Sequence, residues 1–211
     1  MHKRKKIVIL GGGSHAEVLL SILQLHTITI LGYTDHIKKR NLPIKYLGND
    51  LSVGYHSPKD IQLVNGLGST DLPLQRQFIY EKFKKLGYTF ASVIHPSAIL
   101  AKDVKLSEGV QLMTAVVINV NSQIGENSII NTGALIDHHC CIGKHSHIAP
   151  GVTLSGGIHI GNCCLIGAGT TIIQNISIGN QVVIGAGSVV IKNVLSCIRA
   201  AGVPARTISA A

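Results

Sequence analysis

Tryptophan is absent from this chain, and aromatic residues make up only 4% of it. So sparse a set of rings argues against a base-stacking platform for nucleic acid, and it leaves any core to Ile, Val, Leu and Ala. Charged residues are 14%, well under the ~25% of an ordinary soluble domain. Mean hydropathy is +0.34, yet no uninterrupted apolar run reaches the ~18 residues of a membrane span. The opening MHKRKKIVILGGG is basic, but its apolar stretch is only residues 7–10. That is too short for a signal peptide and reads as a first strand, with the cytoplasm as the expected compartment.

A disulfide framework is also missing. The five cysteines are Cys140, Cys141, Cys163, Cys164 and Cys197, an odd number with two adjacent pairs and no secretory signal. Vicinal pairs lack the C-x₂-C geometry of structural zinc, so no metal is expected and the thiols read as small buried fillers. The net charge of +9 is unevenly shared: residues 1–93 hold 13 Lys/Arg and 6 Asp/Glu, and residues 94–211 hold 6 and 4. A basic N-terminal half suits a phosphate-bearing ligand better than nucleic acid.

What the chain does have is a period. From Ile94 it divides without insertion into seventeen hexads: IHPSAI, LAKDVK, LSEGVQ, LMTAVV, INVNSQ, IGENSI, INTGAL, IDHHCC, IGKHSH, IAPGVT, LSGGIH, IGNCCL, IGAGTT, IIQNIS, IGNQVV, IGAGSV and VIKNVL. The first position is always Ile, Leu or Val, the fifth is never charged and mostly small, and the second is Gly in six. Such a period specifies a solenoid. Each hexad supplies one flat side of a three-sided coil, with the first residue inward and the fifth near the corner. Three hexads close a coil, so the prism holds about 5.7 coils and is roughly 27 Å long at strand spacing. Its backbone bonds run from coil to coil, leaving ends rather than edges to cover.

The eighteen-residue offset predicts vertical neighbours. Asp137, His138 and His139 fall beneath Ser155, Gly156 and Gly157. Two glycines over two histidines imply open space and an accessible backbone N–H where a thin thioester passes. His95, His145 and His159 read as exposed polar residues on corners or sides.

Ahead of the prism, residues 5–10 read as a strand, followed by Gly11, Gly12, Gly13, Ser14 and His15 and a helical stretch at 16–25. A glycine-rich turn feeding a helix N-terminus is an anion site, because the first N–H groups lack intrahelical partners. Strands at 29–33 and 61–67 and a helix near 74–86 complete a small parallel α/β unit. Ligands of such sheets bind beyond the carboxyl ends of the strands, which gathers Gly13, Ser14, Asp35 and Gly68. The unit is short for a dinucleotide, so a nucleotide sugar fits it better.

LGGGSHAEV at the start, YTDH at 33–36, VIHPSAIL at the junction, NTGALIDHHCCIGKHSHIAPGVTLSGG in the prism and AAGVPAR near the end together resemble the sialic-acid O-acetyltransferase family of hexapeptide-repeat acyltransferases. Its best-understood members N-acetylate UDP-linked 4-amino-sugars (4-amino-4,6-dideoxy type) for bacterial glycans. The resemblance covers nearly the whole chain. It implies left-handed winding, against the usual right-handed crossover, and three segments: a Rossmann-like nucleotide-sugar domain at 1–92, a left-handed β-helix at 93–195 and a capping tail at 196–211. It assigns His138 as catalytic base, with His139 beside it where an acidic residue is common. It places acetyl-CoA along His147, Gly156, Ala168 and Ala186, and the UDP-amino-sugar at Gly13, Ser14, His15, Asp35, His36 and Gly68. It further implies a homotrimer with acyl sites between subunits.

The expected chemistry is direct transfer from acetyl-CoA to a sugar amine. A histidine suits this because imidazole ordinarily titrates close to neutrality. An acyl-cysteine at Cys140 is disfavoured by its inward slot. The alternatives are O-acetylation of a sialic- or legionaminic-type sugar, a histidine-zinc β-helix enzyme, and a non-catalytic sugar-nucleotide-binding scaffold.

Overall fold

The computed structural model describes residues 5–211; the basic opening at residues 1–4 lies outside them. The chain forms two compact units. One comprises Met1–Gly68 with Gln75–Val93, and the other Ser69–Leu74 with Ile94–Ala211.

In the first unit β1 (Lys6–Leu10) lies between β2 (Ile30–Thr34) and β3 (Ile61–Asn65), all parallel. Four of the five residues of β1 are buried, as expected of a central parallel strand covered on both faces. Helix α1 (Ser14–Leu23) buries Ala16, Leu19, Leu20 and Leu23, one stripe of a 3.6-residue period. It starts two residues earlier than the sequence implies because Gly13, extended at φ −80° and ψ −177°, already serves as N-cap. Helix α2 (Leu74–Lys85) adds Tyr80 and Phe83 to a core shared with Val8, Leu10, Leu63, Tyr88 and Phe90.

The second unit is a stacked prism of two-residue strands. Its first side stacks Gln111–Leu112, Ile129–Ile130, His147–Ile148, Leu165–Ile166 and Val183–Ile184. The second side runs from Ile99–Leu100 through Val117–Ile118, Leu135–Ile136, Thr153–Leu154 and Thr171–Ile172 to Val189–Val190. The third runs from Lys105–Leu106 through Gln123–Ile124, Cys141–Ile142 and His159–Ile160 to Ser177–Ile178. Every pairing is parallel and offset by eighteen residues, as Ile129↔His147 shows. The first position of the hexads fills the core with Leu112, Ile130, Ile148 and Ile166, and the fifth adds Val116, Ala134, Cys140 and Cys164.

Two further positions of the hexad carry structure. Second-position glycines form a column in which a Cβ on Gly143 would lie 2.5 Å from the backbone of Gly161. Only hydrogen fits there. At the fourth position φ is positive in every hexad from Gly109 to Gly187, including Asn121 (58°), His139 (58°), His145 (59°) and Cys163 (56°). This is the left-handed corner that turns the chain from one side to the next, and Gly and Asn suit it best.

His145 departs from the expected exposure. It is 5% exposed, with Nδ1 2.9 Å from Asn127 Nδ2, because the corner column turns it toward its neighbour eighteen residues back. The cysteines divide likewise: Cys140, Cys163 and Cys164 are buried, whereas Cys197 is exposed. The tail continues the first side, Ile198–Gly202 pairing with Val183–Ile184 and then antiparallel with Ala205–Ala210. Among the described residues no helix is long and apolar enough to cross a membrane.

Candidate active site

His138 and His139 occupy the corner between the second and third sides and are both exposed. Their rings meet edge to face at 83°, with the two Nδ1 atoms 3.0 Å apart. Asp137 does not reach the His138 ring. Its Oδ1 accepts the His138 backbone N–H (2.8 Å) and the Asn119 amide (3.1 Å), so it fixes the corner and leaves the imidazole to His139. Behind His139, Asn121 Nδ2 lies 3.2 Å from Nε2.

The roof over this pair corrects one expectation. Gly156 is directly above His138, but the room it leaves is filled: a Cβ there would lie 2.4 Å from His138 Cε1 and 2.6 Å from Nε2. The glycine accommodates the imidazole itself. The Gly157 N–H is also taken, donating to the His138 carbonyl at 2.9 Å. Of the two expected amides, only that of Gly156 lies outside the coil-to-coil bonds among the described residues.

The other expected acyl-site residues stand elsewhere. His147 projects from the first side, 7% exposed. Its Nδ1 is 2.9 Å from Ser69 Oγ, and its Nε2 is 3.1 Å from Asn131 Nδ2. Ala168 and Ala186, eighteen residues apart, share the corner between the first and second sides. In a three-sided prism the corner holding His138 is opposite the first side. One chain therefore does not bring His138, His147 and the alanine column to one point.

Cys140 is buried at its fifth position, with Sγ 3.2 Å from the Ser155 carbonyl. Burial raises its thiol, and burial pushes the Cys164 thiol up to about 11. Neither supplies a thiolate near neutrality.

In the first unit Gly13 caps α1 without a side-chain bond, so the chain enters the helix through backbone alone. A Cβ on Gly68 would lie 3.2 Å from His15 Cβ, so the end of β3 and the start of α1 are in contact. Asp35 Oδ2 accepts the Gly12 N–H at 2.8 Å, while His36 beside it is exposed. Burial raises the Asp35 carboxyl, but the N–H groups of Gly12 and Ile37 and the Lys39 ammonium outweigh it and hold the group below its ordinary value. Sequence reasoning missed Arg76. It is 1% exposed and donates to the carbonyls of Asn65 (3.0 Å) and Leu67 (2.7 Å). Burial lowers this guanidinium to about 9, which keeps it cationic at neutrality behind the end of β3. A lone Arg on a helix gives no signal of this. Asn121, also missed, was legible as His139 minus eighteen.

Hexapeptide rungs stacked into a parallel β-helix define the class of hexapeptide transferases. Residues 121–156 match the family model for the bacterial transferase hexapeptide (six repeats). PerB from Caulobacter crescentus, solved with CoA and GDP-perosamine, is 34% identical and superimposes with a TM-score of 0.90 over 97% of each chain. The acetyltransferase domain of PglB from Neisseria gonorrhoeae, solved with acetyl coenzyme A, is 26% identical with a TM-score of 0.91 over 98% of this chain and 100% of that one. WeeI from Acinetobacter baumannii, at 22% identity and a TM-score of 0.87 over 97% of this chain and 100% of that one, shares the fold. No curated protein sequence matches at comparable significance. The chain belongs to the hexapeptide-repeat acetyltransferase family that includes PerB and PglB, and it is an acyltransferase.

Proposed function

We propose that this chain transfers acetyl from acetyl-CoA to the amine of a nucleotide-linked amino sugar, with His138 as general base. The observation that carries the reading is the exposed His138 ring seated on Gly156, its Nδ1 engaged by His139 and its Nε2 without a hydrogen-bond partner among the described residues. The amine attacks the thioester carbonyl as Nε2 takes its proton. The C–S bond then breaks, and the proton goes to the leaving thiolate, giving the amide and free CoA. The Gly156 N–H is the donor for the developing oxyanion. General-base assistance of this kind is worth on the order of 10²–10⁴ in rate.

The nucleotide-sugar is assigned to Gly13, Ser14, His15, Asp35, His36 and Gly68. The positive end of the α1 macrodipole at Gly13 and the buried Arg76 cation both favour its diphosphate. The UDP-linked acceptor expected from the sequence and a GDP-linked one, as bound by PerB, are both arms of the test.

His147, Gly156, Ala168 and Ala186 serve acetyl-CoA only if a second copy completes the site. The second side offers the surface for it, with Ile99 65% and Leu135 45% exposed beside the His138 corner. A homotrimer with acyl sites between neighbouring prisms is the assembly that follows, and sedimentation at equilibrium measures it.

The deciding experiment is CoA release from acetyl-CoA, assayed against UDP- and GDP-linked amino sugars and free sialic-type sugars. Activity is expected with a nucleotide-linked amine, with a loss of about a hundredfold or more in His138→Ala. Normal turnover in that variant removes His138 as base, and preference for a free sugar hydroxyl overturns the acceptor.

A further inference from the structure

The two imidazoles of the corner pair face each other through like atoms. With both rings neutral, one proton lies between the Nδ1 atoms 3.0 Å apart, so one ring donates and the other accepts. Which ring donates decides whether His138 can act as a base. If His139 donates, the proton of His138 sits on Nε2, and the ring has no lone pair to offer an amine. If His138 donates, its Nε2 is bare. The outer nitrogen of His139 carries the deciding contact.

Asn121 Nδ2 lies 3.2 Å from that His139 Nε2, and a half-turn of the amide puts Oδ1 in its place. With the amino group inward, Nε2 of His139 must accept, His139 donates through Nδ1, and His138 is blocked. With the oxygen inward, Nε2–H of His139 donates, its Nδ1 accepts from His138, and His138 Nε2 is open. The Asn121 backbone is held for this contact. Its N–H donates to Asp103 Oδ2 at 2.9 Å, and its φ of 58° stacks it directly below His139 at 58°.

We propose that Asn121 is a positioning residue whose side-chain oxygen, turned to His139 Nε2–H, holds the imidazole pair in the tautomer that leaves His138 Nε2 free to take the substrate proton. This rests on the assignment of His138 as base, and it makes His139 a second positioning residue rather than a reacting one. No net proton moves along the chain of rings during transfer. The amine proton rests on His138 Nε2 until it passes to the leaving thiolate, and meanwhile the imidazolium keeps its Nδ1–H on His139. Other charged and titratable groups border the pair. Asp137 holds the His138 N–H, and Asp103, Lys105, Cys141 and His159 line the groove of about 530 Å³ that contains Asn121 and His139.

The test uses the full-length enzyme with acetyl-CoA and its amino-sugar acceptor, comparing Asn121→Gly, Asn121→Asp and His138→Ala. Glycine suits the left-handed corner, so Asn121→Gly deletes the amide without backbone strain, and an unchanged melting temperature verifies this. Its kcat is expected to fall about tenfold with KM for both substrates within twofold, the scale of one lost hydrogen bond. Aspartate can only accept. It should recover most of the lost rate and move the acid limb of the kcat profile to higher pH, because a carboxylate beside the pair favours the imidazolium. A wild-type kcat and pH profile in Asn121→Gly overturns the proposal, as does equal slowing in the Gly and Asp variants. If His138→Ala is inactive in the same series, the base assignment stands and only the role of Asn121 falls. If His138→Ala turns over normally, the base assignment itself has failed.

Discussion

Replacing Gly156 by alanine separates the fit of the imidazole from the stability of the prism. The new Cβ would lie 2.4 Å from His138 Cε1, 2.6 Å from Nε2 and 3.0 Å from Nδ1. Carbon atoms are comfortable at ~3.5 Å, so the ring must retreat by about 1 Å. It can do so because His138 is exposed and ends a flexible side chain. Gly156 also lies outside the left-handed region, so alanine adds no backbone strain and slightly lowers unfolded-state entropy. Folding stability should therefore change by less than about 1 kcal/mol, read as a melting temperature within a few degrees of wild type. Catalysis should not survive the shift. A misplacement of ~1 Å in a reacting group costs about a hundredfold, equivalent to about 2.7 kcal/mol of barrier. CoA release under saturating substrates measures this as kcat. A Gly156→Ala enzyme that folds normally and keeps kcat within threefold of wild type would refute the seating of His138 on this glycine.

The neighbouring column gives the opposite result: in Gly143→Ala the new Cβ meets the Gly161 backbone at 2.5 Å, which cannot swing aside, so urea unfolding should show a loss of about 1–3 kcal/mol or more. A thiol reagent at pH 8 should modify exposed Cys197 rapidly and leave Cys164 intact until denaturant is added, since a buried thiol titrating at about 11 is thiolate in only about one molecule per thousand. Fast labelling of Cys164 in the native protein would contradict its place in the core. Asp35 has a folded-state pKa below its ordinary value, so its stabilising contribution is present above the ordinary carboxylate range and lost as pH falls through the folded value. Asp35→Asn should therefore flatten the stability decline below about pH 4 and weaken nucleotide-sugar binding at neutrality; identical acid profiles in the two proteins would argue against the Gly12 contact.

The prism was legible because its physics is one-dimensional. An aliphatic residue every six positions and a coil of eighteen follow from the spelling of the chain, and they alone put Gly156 over His138. What the period did not convey was the direction of side chains at the corners. The fourth position is Gly or Asn in most hexads, a sign of positive φ, and reading it would have singled out Ala115, His139, His145, Cys163 and Gln181 as residues held there at a cost of ~1–2 kcal/mol each. It would also have shown His139 turned toward Asn121 and His145 buried against Asn127. Ser69–Leu74 was beyond reach for a different reason. Nothing local ties this segment to the prism; Ser69 on His147 and Asp71 on Arg199 at 2.8 Å do, and both contacts join residues far apart in the chain. The glycine-rich turn before α1 lay between these cases, since its glycines were readable but the buried Arg76 cation came only from folding.

The eighteen-residue pairing also sets a rule for changes in length. Removing a single residue from the prism would rotate every later rung by one place, turning aliphatic side chains outward and sliding the glycines off the histidines they cover. Removing one whole storey above Gly156 would shorten the column and still bring Ile, Leu and Val home to the axis. Between 94 and 195, then, this chain can be edited by the floor but not by the brick.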